Sequence, residues 1–204
     1  MTTASTDFNT QTTEDVPKEM LPHTAGRKLW LPMFLMALVA FTVGVVLGFF
    51  RADAVDSGDA QDAAVLGHVV TGFMFIGFAA VFAAISFAIA RILGVFREGG
   101  SGLQKLAGVD IRTLKMPGTA RAFIVLMAVG MMTLVVAVVL HFIVGVAIAA
   151  DNVSLEDAET WSVALEGVRR FGVSIYLFAI GLGLATIITV LRFQSVRVKE
   201  VVSR

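Results

Sequence analysis

The sequence predicts an all-α protein: a polytopic integral membrane four-helix bundle with both termini cytoplasmic and a short extramembrane helix before the fourth span. Three observations carry this reading: four continuous apolar stretches, the exclusion of every charge from them, and an asymmetry of charge sign between the segments that join them. The 204 residues are 57% hydrophobic and only 16% charged, with a mean hydropathy of +0.84, whereas a soluble domain is roughly a quarter charged. A chain this short has no interior large enough to hide so much apolar surface.

The four stretches are residues 29–50, 63–90, 122–150 and 172–191, and all 16 Lys and Arg and all 16 Asp and Glu fall outside them. Each reaches or exceeds the roughly 20 residues that carry a helix across a hydrocarbon core of about 30 Å. A transmembrane β-barrel would show alternating segments of about ten residues instead. The first loop, RADAVDSGDAQD, sets Asp53, Asp56, Asp59 and Asp62 against Arg51 alone. The middle connection holds Arg91, Arg97, Lys105, Arg112, Lys115 and Arg121 against Glu98 and Asp110, and the C-terminal end adds Arg192, Arg197, Lys199 and Arg204. Basic residues in short loops are retained in the cytoplasm, so the middle connection and both termini are expected inside, in a membrane of prokaryotic cytoplasmic type.

Residues 1–28 are rich in Thr, Ser, Asp and Glu, lack apolar periodicity and read as a polar cytoplasmic tail. No cleaved signal peptide is expected, because the first apolar stretch is too long and lies too far along the chain. The transmembrane domain takes residues 29–193, and 194–204 read as a basic tail. Within the middle connection a Gly99–Gly102 stretch suggests a hinge, and Leu103 to Leu114 reads either as a short amphipathic helix at the interface or as a solvated loop. The second outward segment offers Ser154 followed by Asp157, a near-match to a capping box, with Glu156, Asp157 and Glu159 suited to a helix N-terminus. A helix starting there would bring Trp161 to the membrane interface and bend or continue at Gly167 and Gly172.

Packing signals are the Gly44-x-x-x-Gly48 face of the first span, the Ala80, Ala84 and Ala88 stripe of the second, and Gly181 and Gly183 of the fourth. Such residues let helix backbones approach closely. Phe73, Phe75, Phe78, Phe82 and Phe87 crowd the second span and are expected to point outward around much of it, toward lipid or neighbouring subunits.

Chemistry concentrates in two histidines, because an ionisable group within a span is costly unless a partner or ligand satisfies it. His68 and His141 are each followed four residues later by glycine, Gly72 and Gly145, which places a small residue on the same helix face. One reading is an ordinary interhelical hydrogen bond between neutral imidazoles. The other is haem b held through both rings, with Gly72 and Gly145 giving clearance to the macrocycle and Arg169 and Arg170 contacting its propionates or lipid headgroups. By residue counting, His141 lies several ångströms deeper than His68, which counts against a shared iron.

The chain has no cysteine, which excludes thiolate metal sites and cysteine nucleophiles. No metal is expected beyond a haem iron. The spans hold no carboxylate for a proton or sodium relay, and no nucleophile–base pair or phosphate-binding glycine motif is present, so no enzymatic activity is expected. With no global basic excess, nucleic acid is not an expected partner. The reading is therefore an accessory or scaffold subunit of a larger membrane complex, of a respiratory or other energy-converting kind, packing against other subunits or itself and lipid. Its alternative is an electron-transfer subunit binding haem b.

Overall fold

The computed structural model describes residues 8–15 and 21–202, in which six elements follow one another. They are β1 (Thr10–Thr13), α1 (Leu21–Asp56), α2 (Ala60–Leu106), β2 (Ile111–Leu114), α3 (Gly118–Ala149) and α4 (Leu155–Val202). All four helices are long and apolar enough to cross a membrane. The four expected stretches fall one in each helix, but every helix overruns its stretch.

Local chemistry sets the helix ends. Gly58 turns the chain out of α1 at φ 78°, a left-handed conformation that costs glycine nothing. Asp59 then caps α2 by accepting from the Asp62 N–H at 2.9 Å. Asp151 takes φ 55° after α3. The expected cap of α4 forms at the side chain: the Ser154 hydroxyl accepts from the Asp157 N–H at 3.1 Å and donates to its carboxylate at 2.7 Å. From this start α4 continues for 48 residues through Gly167 and Gly172. The short helix expected to start at Ser154 is thus continuous with the fourth long helix, the continuing rather than the bending alternative at those glycines.

The middle connection departs most from expectation. Gly99–Gly102 does not hinge, because α2 runs on to Leu106. Beyond it Ile111–Leu114 form neither a helix nor a loop but strand β2, which pairs antiparallel with β1 from Thr10↔Leu114 to Thr13↔Ile111. The buried Gln104 fixes the turn from α2 into β2, its side-chain carbonyl oxygen accepting from the Arg112 N–H and its main-chain carbonyl accepting from the Val109 N–H, both at 3.1 Å. Four residues of the 1–28 segment thus belong to a two-stranded sheet. Residues 1–7, 16–20 and 203–204 of the expected tails lie outside the described part, while α4 carries most of 194–204 as helix.

α2 is the centre of the bundle. It packs against α1, α3 and α4, α3 and α4 pack on each other, and α1 is held chiefly by α2. Most of the α2 phenylalanines therefore do not point outward as expected: Phe75 and Phe82 are buried, Phe82 stacks on Tyr176 and Phe73 meets Phe142 edge-on, while Phe78 is exposed although it meets Phe41. A helix with three helical neighbours gives many of its large side chains protein to bury against, but one face stays open at Phe78, Ile85, Ile92 and Val95.

Aromatic rings from neighbouring helices fit over glycines. A Cβ at Gly77 would lie 2.5 Å from the Phe41 ring, one at Gly72 3.0 Å from Phe142, and one at Gly130 2.9 Å from Tyr176. At Gly26 the approach is backbone to backbone, 2.5 Å to the Phe87 carbonyl oxygen. Gly44 receives the Met74 side chain, so half of the expected small-residue face is spent within the bundle, while nothing approaches Gly48 or Gly181 within 4 Å. Gly77→Ala should consequently destabilise the protein by about 1–3 kcal/mol through overpacking against Phe41. Gly48→Ala should stabilise it by up to about 1 kcal/mol, since it adds helix propensity and meets no neighbour. Thermal unfolding in a mild detergent reads both, and equal effects at the two positions would refute the packing assignment.

Candidate functional site: a buried histidine pair

His68 stands on the third turn of α2 and His141 in the second half of α3, on faces that the antiparallel packing of the two helices turns toward each other. Both side chains are buried, at 5% and 2% exposure. Their Nδ1 atoms are 3.1 Å apart, so one Nδ1–H donates and the other Nδ1 accepts, which makes the accepting ring neutral with its proton on Nε2. The depth difference counted along the sequence is closed by the pairing. Ala158 of α4 lines the same space as the His68 ring. Nε2 of His141 is buried and has no hydrogen-bond partner.

A chain of aromatic contacts leads outward from the pair. Phe75 meets the His141 ring edge-on at 5.1 Å, and the Arg169 guanidinium lies 5.3 Å from the centre of the same Phe75 ring. Such a placement over a π face attracts the cation electrostatically. Arg169 also pairs with Glu166, and Arg170 reaches the same carboxylate at 2.9 Å. Of the two expected arginines, then, Arg169 touches the surroundings of the pair, while Arg170 faces outward and both are engaged by Glu166.

Beside the rings lies a cavity of about 330 Å³, bounded by Arg51, Gly67, Thr71, Glu159 and Ser162 together with His68 and His141. Its lining mixes these polar groups with Ala60, Ala63, Ala64, Leu155 and Ala158, so it suits water or a small polar solute. The glycines expected to leave room for a macrocycle do not leave it: the Phe142 ring covers Gly72, and a Cβ at Gly145 would lie 3.5 Å from the His68 Cβ and 3.6 Å from Val69. Two rings in hydrogen-bond contact also leave no gap for an iron between them. In this conformation the residues do not form a haem cradle, although they supply two adjacent imidazoles. Among the described residues no group of three or more His, Cys, Asp or Glu could hold a metal ion.

Sequence reasoning missed a second polar centre at the opposite end of the bundle, where Ser101, Gln104, Thr113 and Arg197 are all buried. Arg197 sat in a segment read as a solvated basic tail. The available signal was Phe193, one helical turn earlier, whose ring lies 4.7 Å from the Arg197 guanidinium.

The fold and site define a bundle of four membrane-length helices with one internal histidine pair. Comparison with known proteins gives no matching family model, no similar curated protein and no similar solved structure.

Replacing either histidine by Ala should destabilise the protein, and the double variant should lose less than the sum of the singles. A coupling of about 0.6–1.7 kcal/mol is expected for a hydrogen bond between membrane helices. Strictly additive losses in detergent unfolding would deny the bond.

Proposed function

We propose that this chain is a non-enzymatic, accessory or scaffold subunit of a larger membrane assembly, with both termini on the cytoplasmic side of a prokaryotic-type membrane. The observation that carries this reading is the way the bundle spends its side chains. Rings fill the glycine notches of α2 and α3, and the two embedded histidines are hydrogen-bonded to each other, so the middle of the bundle is spent on packing and its cavities lie toward the two ends. α1, by contrast, is held along one side only, with Phe34, Leu38, Val45 and Phe49 exposed on the other. Gly48 lies open nearby, ready for close approach of a further helix.

The orientation rests on charge. The ends of α2 and α4 and the start of α3 gather Arg97, Lys105, Arg112, Arg121, Arg197 and Lys199 at the end that also holds the sheet, whereas Asp53, Asp56, Asp59 and Asp62 cluster at the other. Retention of basic loops inside the cell puts the sheet in the cytoplasm.

A second reading, an electron-transfer subunit holding haem b through His68 and His141, draws on the juxtaposition of the rings and the unpartnered Nε2 of His141. The covering of Gly72 and Gly145 opposes it. An optical spectrum of the protein purified from its native membrane, oxidised and then reduced with dithionite, separates the readings: the scaffold role expects no haem band. A reduced b-type band abolished by His141→Ala would replace it with the electron-transfer role.

For the assembly itself, native mass measurement in a gentle detergent should give a species well above the 21.7 kDa of one chain. A monomer in several such detergents would refute the proposal. The absence of cysteine makes topology directly testable. Ser57→Cys should react with an impermeant thiol reagent on intact cells and Gly102→Cys should not, and the opposite pattern would invert the orientation.

A further inference from the structure

The end of the bundle that carries the sheet encloses a second cavity, of about 370 Å³, between the last turns of α2 and α4, the first turn of α3 and β2. Four cationic side chains line it, Arg97, Lys115, Arg121 and Arg197, with His23 beside them, and among the described residues no Asp or Glu does. The nearby carboxylates of Asp15 and Glu200 are engaged by Lys105 at 3.2 Å and Arg112 at 3.0 Å. Arg197 is only 2% exposed. One of its terminal nitrogens donates to the Ser101 hydroxyl at 3.2 Å and to the Arg112 carbonyl, both neutral acceptors, and its Nε has no partner. A buried guanidinium whose direct hydrogen-bond acceptors are both neutral is costly even with the Glu200 carboxylate acting on it from a distance, and the further cations around the same space add repulsion. An anion in the cavity relieves both.

The remaining wall selects the kind of anion. Leu93, Met116, Val190 and Phe193 give the cavity an apolar side. Leu93 and Val190 belong to the turns where the apolar stretches of α2 and α4 end, the level at which lipid headgroups lie. Arg is well matched to phosphate because its fork of N–H donors meets two oxygens at once. We propose that this cavity binds the phosphate of an anionic phospholipid from the adjoining leaflet, with the acyl region against the apolar wall. A free phosphate would meet the same cations but leave that wall uncovered. Basic pockets between membrane helices recognise acidic headgroups in this way. The site stands apart from any assembly role, since the four cations and the apolar wall all come from one chain.

The test uses the full chain purified in a zwitterionic detergent and titrated with phosphatidylglycerol or phosphatidylcholine of equal chain length. Native mass spectrometry reads the retained lipid. Phosphatidylglycerol should be retained preferentially, and removing a lining cation should weaken that preference by about fivefold for each charge lost. Arg197→Gln tests the buried member. Arg121→Gln combined with Lys115→Gln tests the exposed rim and keeps the proposal falsifiable if the first variant does not fold. Lys105→Gln, outside the cavity, should leave the preference unchanged. Equal retention of the two lipids, an undiminished preference in the rim variant, or an equal loss in Lys105→Gln would each overturn the proposal. So would displacement of phosphatidylglycerol by equimolar inorganic phosphate, which would assign the site to the free anion.

Discussion

The close approach of helices at glycine is the constraint on which the rest of this structure depends. In the bilayer proposed for these helices, lipid tails are as apolar as leucine, so burying a leucine against another helix brings no hydrophobic gain. What remains is dispersion, which falls off within an ångström of contact and therefore rewards shape. Phe41 over Gly77, Phe142 over Gly72 and Tyr176 over Gly130 supply that shape. Because two of these three notches lie on α2, that helix becomes the one that α1 and α3 must both meet, and the architecture follows from its composition.

The histidine pair is placed by the same contacts. Phe142 is the residue next to His141, and its ring rests on Gly72, one turn beyond His68 on α2. Seating that ring sets the distance and rotation between α2 and α3, and the Nδ1 atoms come within 3.1 Å as a consequence. The His-x-x-x-Gly spacing that invited a macrocycle thus has a simpler physical role. Gly72 makes room for Phe142, and Gly145 makes room for the turn of α2 that carries His68. Two polar rings that would each be costly alone share one hydrogen bond, which lowers that cost and leaves the Nε2 of His141 as the buried atom still without a partner among the described residues.

The existence and order of the four helices were legible because their signal is compositional: a run of some twenty residues without charge has few alternative structures, and the Ser154/Asp157 cap announced the start of α4 in the same local way. The inward turn of the phenylalanines was not legible, since hydropathy cannot tell a lipid-facing ring from one that faces another apolar helix. Nor was the sheet. TQTT and IRTL are too short and too far apart in sequence to announce a pairing, and only the continuation of α2 through Gly99–Gly102 brings β2 to β1. The glycines that read as a hinge are helical because α4 packs against them: Gly100 lies against the Gln194 and Arg197 side chains, which a Cβ would displace. Juxtaposition of His68 with His141 was partly legible, since both were flagged as embedded and in need of a partner, but their depths counted from uncertain helix boundaries concealed how closely they meet.

The two ends of the bundle solve the problem of buried polarity in opposite ways. At one end, two rings share a proton within hydrogen-bond distance, and among the described residues only the Nε2 of His141 is left buried without a partner. At the other, Arg197 retains its charge in a buried position, and the groups that touch it, Ser101 and the Arg112 carbonyl, offer dipoles without offering an opposite charge. Glu200 acts on it favourably from a distance, while Arg97 acts against it. An acidic headgroup in the cavity would add to the favourable part of that field. The lysines and arginines on which the proposed orientation rests are also among those that line the cavity, so the proposed topology and the proposed headgroup selection draw on one asymmetry of charge.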